Sequence, residues 1–309
     1  MANLRDIRNR IDSVENTKQV TRAMKMVAAA KLRRAQERIF ETRPYAFMIR
    51  RLINHLKEEL DPTSHPLFPP RDKIDAALLI VITADRGLAG AFNTNVIKRA
   101  EQAIEEQYAQ QKKRDQLYLI CAGRKGHEHF EKRGYQLVGD FRNIFDGLSF
   151  DVAQRIVDRA ISGYTEEHWD EVNIVYNEFK NTIAQNRIVE PLIPVPTEQF
   201  MTPMMEEEFG GALEARNGQM KVEYIFEPNA RLILDNLVPR FLYYQLWRAL
   251  LESNAAEQGA RMVAMDNATT NAEDLIDDLR LQYNRARQDA ITTEILEITS
   301  GAEALESSR

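Results

Sequence analysis

The chain has 309 residues, of which 44% are hydrophobic, and its 41 Lys and Arg against 47 Asp and Glu give a net charge of −6. This is enough for one sizeable core, and the longest apolar run, residues 76–82, is far too short to cross a bilayer. A single cysteine, Cys121, excludes an intramolecular disulfide and a multi-cysteine metal site. We expect Cys121 to be a buried structural thiol. We expect the chain, which begins without a hydrophobic signal region, to be soluble on its own.

The N-terminal segment is predicted to form one long helix, because residues 1–43 contain neither Gly nor Pro. Apolar residues recur in it at spacings of three and four, the pattern of a seam between paired helices. These residues are Leu4, Ile7, Ile11, Val14, Val20, Met24 and Val27. Residues 24–32 are apolar on most sides, which indicates a helix enclosed by other protein. Pro44 is expected to kink or end the helix, and the proline-rich segment 55–72 to link it to the next domain.

Residues 73–193 alternate between strand and helix patterns, which predicts an α/β domain with a mainly parallel, doubly wound (Rossmann-like) sheet. The clearest strand is the apolar, β-branched run 76–83, which is typical of a strand buried on both faces. Residues 194–227 are irregular apart from an alternating stretch, 219–226, that predicts an exposed or edge strand. Further strands are expected at 117–121, 135–138, 172–176 and 188–192, and helices at 93–111, 125–132 and 150–164.

A second long helix is predicted over residues 239–300, because the residues after Pro239 in this range include only one Gly and no further Pro. At roughly 90 Å it would be too long for a globular core to bury. Small and apolar residues form a packing line along it at steps of three or four. The line consists of Leu242, Leu246, Leu250, Ala256, Ala260, Ala264, Ala268, Ala272, Leu275, Leu279, Tyr283, Ala286 and Ala290. Residues 1–40 carry a net charge of +6 and residues 249–309 one of −7, so opposite charge favours pairing of the two terminal helices.

Two glycine pairs suggest other functions. Gly87 and Gly90 follow a buried strand, where α/β folds hold phosphate, but their spacing is not G-x-G-x-x-G and the chain has no P-loop. Gly123 and Gly126 match the GXXG of an RNA-binding KH domain, yet a strand precedes them where a helix should. Structural turns are favoured at both places. A free-standing nucleotide-binding protein that dimerises through its helices remains the alternative.

The remaining candidates for chemistry are weak. His127 and His129 are two residues apart, which places them on different sides of a helix and disfavours a metal pair. A nucleic-acid site on the basic first helix would need Lys25 and Arg33 to be free, and this helix offers no aromatic stacking platform. We therefore predict no catalytic residue, no cofactor and no metal site.

Four segments of the chain resemble the gamma subunit of F-type ATP synthases. Residues 291–304, ITTEILEITSGAEA, are similar position by position to that family's C-terminal signature. Residues 17–31 read TKQVTRAMKMVAAAK, residues 85–93 read DRGLAGAFN and residues 257–267 read EQGARMVAMDN. All three are similar to characteristic stretches of the family, and the resemblance extends over essentially the whole chain.

The resemblance implies a rotary stalk. The terminal segments, 1–60 and 228–309, would form an antiparallel coiled coil inside a hexamer of alternating alpha and beta subunits. The central domain, 73–193, would hold the epsilon subunit and sit on the membrane-embedded ring of c subunits. Proton flow would turn ring and stalk together, and the catalytic beta subunits would change conformation in sequence. ATP would be made on the beta subunits, so this chain is implied to be non-catalytic.

Residue roles come from the same resemblance. The residues implied to contact the alpha and beta subunits are Met24, Lys25, Arg261, Gln288, Thr292 and Glu294. Those implied to lie in the foot region, 194–227, near the c ring and the epsilon subunit are Tyr224, Phe226 and Glu227. Because Cys121 is alone, the regulatory cysteine pair of chloroplast members is not expected. With no presequence at the start of the sequence, we expect a bacterial chain, peripheral on the cytoplasmic side of the cell inner membrane and attached through its partners only.

Overall fold

The structure, a computed structural model, describes residues 4–59, 65–196, 202–204 and 229–306. The chain divides into two compact units. We call Ala28–Arg261 the sheet unit, and Met1–Val27 with Met262–Arg309 the helical unit. The described elements are α1 (Leu4–Glu59), β1 (Ala77–Ile82), α2 (Phe92–Gln107), α3 (Ala109–Lys113), β2 (Leu117–Ala122), α4 (Arg124–Glu131), β3 (Gln136–Leu137), a 3₁₀ turn (Ile144–Gly147), α5 (Phe150–Thr165), β4 (Glu171–Phe179), β5 (Gln185–Ile193) and α6 (Ala230–Glu306).

The sheet unit is built on five strands in the order β3-β2-β1-β4-β5. β1 pairs in parallel with β2 and β4, and β2 in parallel with β3, whereas β5 runs antiparallel to β4 at the edge. Helices connect the parallel strands, as the alternating sequence pattern predicted. The predicted fold class, long terminal helices around a mainly parallel Rossmann-like sheet, is therefore confirmed.

The central strand β1 shows why the sheet is covered on both faces. Leu78, Ile80 and Ile82 contribute to one core cluster, while Leu79 and Val81 contribute to the other. Successive side chains of a strand point to opposite faces, so a continuous apolar run requires cover on each side. The first face packs against α5 and the sheet-unit parts of α1 and α6, and the second against α2 and α4. Cys121 of β2 is buried, as predicted, and burial raises the pKa of its thiol to about 12.

Pro44 does not end the first helix. α1 continues to Glu59, so the predicted linker does not begin at residue 55. Beyond the proline, Ile49 and Ile53 are buried in the core of the sheet unit. Their burial favours continuing the helix even though a proline removes one backbone hydrogen bond.

The last helix runs through a proline. α6 starts at Ala230, within the predicted C-terminal segment 228–309, and contains Pro239 in its interior. Leu234, Val238 and Leu242 are completely buried on either side of this proline. Burial of this apolar face on both sides of Pro239 therefore stabilises a helix that continues through the proline.

The helical unit is an antiparallel helix pair. Four polar contacts join α1 to α6. Along α1 the residue numbers in these contacts increase, while those of their partners in α6 decrease, which shows that the helices are antiparallel. The contacts are Glu15–Arg280 at 2.9 Å, Lys18–Glu273 at 2.9 Å, Thr21–Thr269 at 2.8 Å and Lys25–Asp266 at 2.6 Å. In three of the four, opposite charges meet, as the charge asymmetry predicted.

Several residues of the predicted seam are exposed, Val27 and Ala290 among them. Val20 is 58% exposed, and the neighbouring Thr21 lies in the seam instead, where its hydroxyl is hydrogen-bonded to Thr269. In α6, Leu275 is 39% exposed whereas Ile276 is buried. Adjacent apolar residues both satisfy a spacing of three or four, so periodicity could not choose between them.

Gly163 of α5 gives a direct test of core packing in the sheet unit. A Cβ at this position would lie 2.0 Å from Cζ2 of Trp169, whose indole donates to the Ala160 carbonyl at 2.9 Å. We expect Gly163→Ala to lower the free energy of unfolding by about 1–3 kcal/mol, the usual cost of overpacking. Urea unfolding of the full chain measures this, with Gly147→Ala, which has open space, as the control. Equal unfolding midpoints for both variants would contradict the packing described.

Candidate functional site

The helical unit carries apolar side chains that are exposed to solvent in the described part of the chain. On α6, Ile291, Ile295 and Ile298 recur at spacings of four and three, so they share one helix face, and all three are exposed. On α1, Met26 and Val27 are exposed as well. Met26 and Val27 lie next to the Lys25–Asp266 pair, whereas Ile291 lies much further along α6, so the two groups form separate patches. Exposed apolar patches mark sites of contact with other protein. We call these five residues together the apolar surface of the helical unit.

Most residues that the sequence predicts as subunit contacts lie in this same unit. Met24 and Lys25 are half-buried in α1, and Gln288, Thr292 and Glu294 are exposed on α6. The Lys25 ammonium already pairs with Asp266, and the Thr292 hydroxyl donates to the Gln288 carbonyl at 2.9 Å. Their contact with another subunit stays a prediction.

Arg261, the sixth predicted contact, occupies a different environment within the sheet unit. Its Nη1 donates to the carbonyl of Gly87 at 2.6 Å, and its Nη2 pairs with the Glu257 carboxylate at 2.5 Å. Burial is the main cause that raises the pKa of Glu257, and the hydrogen bond from Arg261 opposes it. Arg261 therefore binds groups of its own chain. The predicted foot residues Tyr224, Phe226 and Glu227, and the edge strand 219–226, lie outside the described residues.

The place where a doubly wound sheet would hold phosphate is filled by Asp85. This buried residue follows β1, and its carboxylate accepts backbone N–H bonds from Arg124 at 2.9 Å, Asn143 at 2.7 Å and Phe145 at 2.9 Å. Backbone N–H groups at the carboxyl ends of parallel strands are the donors that bind phosphate in such folds. Here a carboxylate of the chain occupies three such groups, those that follow β2 and β3, so these donors are not free to bind a phosphate.

The Gly123–Gly126 turn also has a structural role. Gly123 has φ +113°, and a Cβ there would lie 2.1 Å from the carbonyl oxygen of Thr83. The amide of Gly126 donates to the Thr83 hydroxyl at 2.8 Å. Both glycines thus allow α4 to begin directly against the end of β1. The turn is packed inside the sheet unit, unlike the exposed GXXG loop that binds RNA.

A cavity of about 490 Å³ lies at the opposite edge of the sheet. It is lined by Ile74, which precedes β1, by Glu171 at the start of β4, and by Pro191 near the end of antiparallel β5. This is the amino-terminal edge of the parallel strands. Doubly wound folds bind nucleotides at the carboxyl edge of their parallel strands. The position of this cavity therefore does not support the alternative of a nucleotide-binding protein.

Sequence reasoning missed a buried ionic cluster under β4 and β5. Arg248 of α6 pairs with the Glu190 carboxylate at 2.5 and 2.7 Å, and its Nη1 donates to the Tyr176 hydroxyl at 2.9 Å. All three side chains are almost completely buried. An arginine between Leu246 and Leu250 of the predicted packing line was the available signal, because a charge on a buried face requires a partner.

Lys25 and Arg33 are not the free cations that a nucleic-acid site on α1 would need. Lys25 pairs with Asp266, and Arg33 pairs with Glu37 at 3.2 Å. No helix within the described ranges combines the length and the apolar character needed to cross a membrane. Nor does the described part of the chain gather three or more His, Cys, Asp or Glu side chains where they could hold a metal ion.

An antiparallel helix pair with an exposed apolar surface, joined in one chain to a doubly wound domain, defines a class of subunit that acts by contact with other proteins. A family model described as ATP synthase matches residues 3–305. The ATP synthase gamma chain of Salinibacter ruber is 67% identical over 308 residues, and that of Chloroherpeton thalassium 48% over 309 residues, each match covering 100% of both chains. The chain belongs to the family of ATP synthase gamma chains, which confirms the resemblance carried by the four sequence segments.

Solved structures show the same fold at low identity. The rotor of the Euglena gracilis mitochondrial ATP synthase is 20% identical with a TM-score of 0.64, over 93% of this chain and 98% of that chain. The central stalk and c ring structure of the Tetrahymena thermophila mitochondrial enzyme gives 22% identity and a TM-score of 0.55, over 81% of this chain and 99% of that chain.

Proposed function

We propose that this chain is the central rotary stalk of a proton-translocating ATP synthase, coupling rotation of the membrane c ring to the conformational cycle of the catalytic beta subunits. The observation that carries the proposal is full-length similarity, at 67% identity, to an ATP synthase gamma chain. The similar solved structures are described as a rotor, as a central stalk with its c ring, and as an assembly of OSCP, F1 and c ring. The partners are accordingly the alpha and beta subunits, the epsilon subunit and the c ring.

The apolar surface of the helical unit supports contact with the head. Ile291, Ile295 and Ile298 lie among exposed polar residues such as Gln288 and Glu294, which keep this part of α6 soluble before assembly. An apolar helix face can turn inside an apolar sleeve because its contacts are not directional. We infer that this end of α6 lies inside the alpha–beta hexamer.

We infer further that the chain carries no catalytic site and that ATP is made on the beta subunits. The carboxylate of Asp85 at the phosphate position supports this assignment. The proposed place of the complex is the cytoplasmic side of a bacterial inner membrane, with this chain peripheral and held through its partners. The foot residues Tyr224, Phe226 and Glu227 are proposed to face the c ring and the epsilon subunit.

Reconstitution tests this function. Purified alpha and beta subunits are assayed for ATP hydrolysis with and without the chain, and the chain is assayed alone. We expect a stable complex with much higher turnover when the chain is present, and no hydrolysis by the chain alone. Failure of the chain to form a complex with matched subunits would contradict the proposal. Equilibrium dialysis of the chain with ATP tests the alternative of a free-standing nucleotide-binding protein. That alternative predicts tight, stoichiometric binding of ATP.

Lys25 offers a charge-swap experiment that separates two roles. Its pair with Asp266 is substantially exposed on both sides, so we expect Lys25→Asp to change the free energy of unfolding by less than about 1 kcal/mol. If Lys25 contacts a beta subunit, as proposed, Lys25→Asp lowers ATP-driven proton pumping per ATP hydrolysed. The added swap Asp266→Lys then restores the ion pair without restoring pumping. Full recovery of pumping in the double variant would instead assign Lys25 to the helix pair alone.

A further inference from the structure

Two loops of the sheet unit converge on one turn and a half of α6. The first is the β4–β5 hairpin, in which the Gln185 amide donates to the carbonyl of Ala256 at 2.8 Å. The second is the loop after β1, whose Gly87 carbonyl accepts from Arg261 at 2.6 Å. Both contacts lie within the sheet unit. We call the α6 segment 256–261 and these two loops the collar.

Gly259 lets the hairpin reach the helix backbone. A Cβ built at Gly259 lies 3.4 Å from Cε2 of Phe179 and 3.5 Å from Cα of Thr182. These are ordinary contact distances for a methyl group, so the hairpin lies directly against the helix at Gly259.

Glu257 holds Arg261 in the position that reaches the loop. Its carboxylate, four residues earlier on α6, pairs with Nη2 of Arg261 and leaves Nη1 for the Gly87 carbonyl. Both side chains are almost fully buried, where a charge-assisted hydrogen bond is least screened by solvent. A buried pair of this kind has one preferred geometry, so it determines the position of the loop along the helix.

We propose that the collar is the junction at which the sheet unit grips α6 during rotation, and that Arg261 is a positioning residue that acts on its own chain. This inference rests on the proposed rotary function. Before the collar, α6 is already held by core residues from Leu234 to Ala256, so the collar is the last contact of the sheet unit with this helix. At this point torque passes through the hairpin at Ala256 and through Arg261 at the end of the segment. The junction stays closed through the whole cycle. A contact with another subunit, by contrast, must break and form again at every step.

Cross-linking in the assembled complex tests this inference. Thr182→Cys with Gly259→Cys places two thiols where a disulfide can form, and Cys121 is buried and does not compete. We expect oxidation of this variant to leave ATP hydrolysis and proton pumping unchanged, because the junction does not open. We expect Arg261→Gln alone to lower pumping per ATP hydrolysed by about threefold, a typical size for a coupling residue. The disulfide added to Arg261→Gln should restore pumping, and its reduction should remove the gain.

Several results would overturn the inference. These are loss of turnover when the disulfide forms in the otherwise unchanged chain, failure of the disulfide to restore pumping in Arg261→Gln, and failure of the two cysteines to cross-link at all. Arg155→Gln, which removes an exposed arginine paired with Asp151, is the matched control and should pump normally. A complex with the unaltered chain that hydrolyses ATP without pumping would instead count against the rotary function itself. Hydrogen exchange at residues 86–90 of the isolated chain should rise in Arg261→Gln and not in the control.

Discussion

Replacing Arg248 with alanine is expected to lower the free energy of unfolding by about 3–5 kcal/mol, the range measured when one partner of a buried ion pair is removed. The Glu190 carboxylate is completely buried and would lose two hydrogen bonds from the guanidinium. The Tyr176 hydroxyl and the Gln245 amide, which also donate to Glu190, would remain. They are neutral donors and do not replace the positive charge. Urea unfolding of the full chain measures the change.

The double variant Arg248→Met with Glu190→Gln separates charge from packing. It removes the charges of Arg248 and Glu190 and keeps most of the volume, so only the buried Glu252 carboxylate, which lies 3.5 Å from Arg248, loses this partner. Arg248→Ala deprives both carboxylates of the guanidinium, so we expect the double variant to be more stable. Arg155→Ala, at an exposed ion pair, should change the free energy of unfolding by less than about 1 kcal/mol. An Arg248→Ala chain that unfolds at the same urea concentration as the Arg155→Ala control would show that the buried pair is not formed.

Asp85→Ala has the second-largest expected effect, about 3 kcal/mol of lost unfolding free energy. Three backbone N–H groups, those of Arg124, Asn143 and Phe145, would lose their acceptor, and an unsatisfied buried donor costs about 1–3 kcal/mol. Three such losses sum to about 3–9 kcal/mol, and solvent that enters the space of the removed side chain keeps the total near the lower end of this sum. The unfolding midpoint in urea, compared with the unaltered chain, gives the value.

Asp85→Asn gives the graded comparison. Its amide retains the oxygen that accepts from Arg124 and Asn143, but its nitrogen would face the N–H of Phe145, so we expect a loss intermediate between none and that of Asp85→Ala. Asp146→Ala is the matched control, because Asp146 is exposed and pairs only with the exposed Arg86 among the contacts described. If Asp85→Ala and Asp146→Ala lower the free energy of unfolding equally, the Asp85 carboxylate does not fill the phosphate position.

The fold could be predicted largely because its strands and long helices have strong patterns. The continuous run 76–83 can be satisfied only by burial on both faces, and β1 is the central strand. Proline positions were poorer guides, since α1 and α6 both continue through a proline where buried residues lie on either side or beyond it. Local chemistry predicted a break, and tertiary packing overrode it.

The candidate site was less predictable, for a physical reason. The exposed contact residues of α6 came from resemblance, because no pattern of spacing distinguishes Thr292 from its exposed neighbours. Asp85 could be seen only as part of a turn, since its three donors come from two other segments of the chain. Arg261 likewise contacts Gly87, 174 positions away. Contacts of this range are set by the folded structure and are not visible in a sequence window.

The most direct test of the rotary function is to observe rotation. The assembled complex is immobilised through its beta subunits, and a marker is attached to this chain by a cysteine introduced at an exposed position of α5, such as Arg155. We predict that addition of ATP turns the marker continuously in one direction, and that the marker stops when ATP is exhausted. ATP hydrolysis at the full rate with a stationary marker would contradict the account.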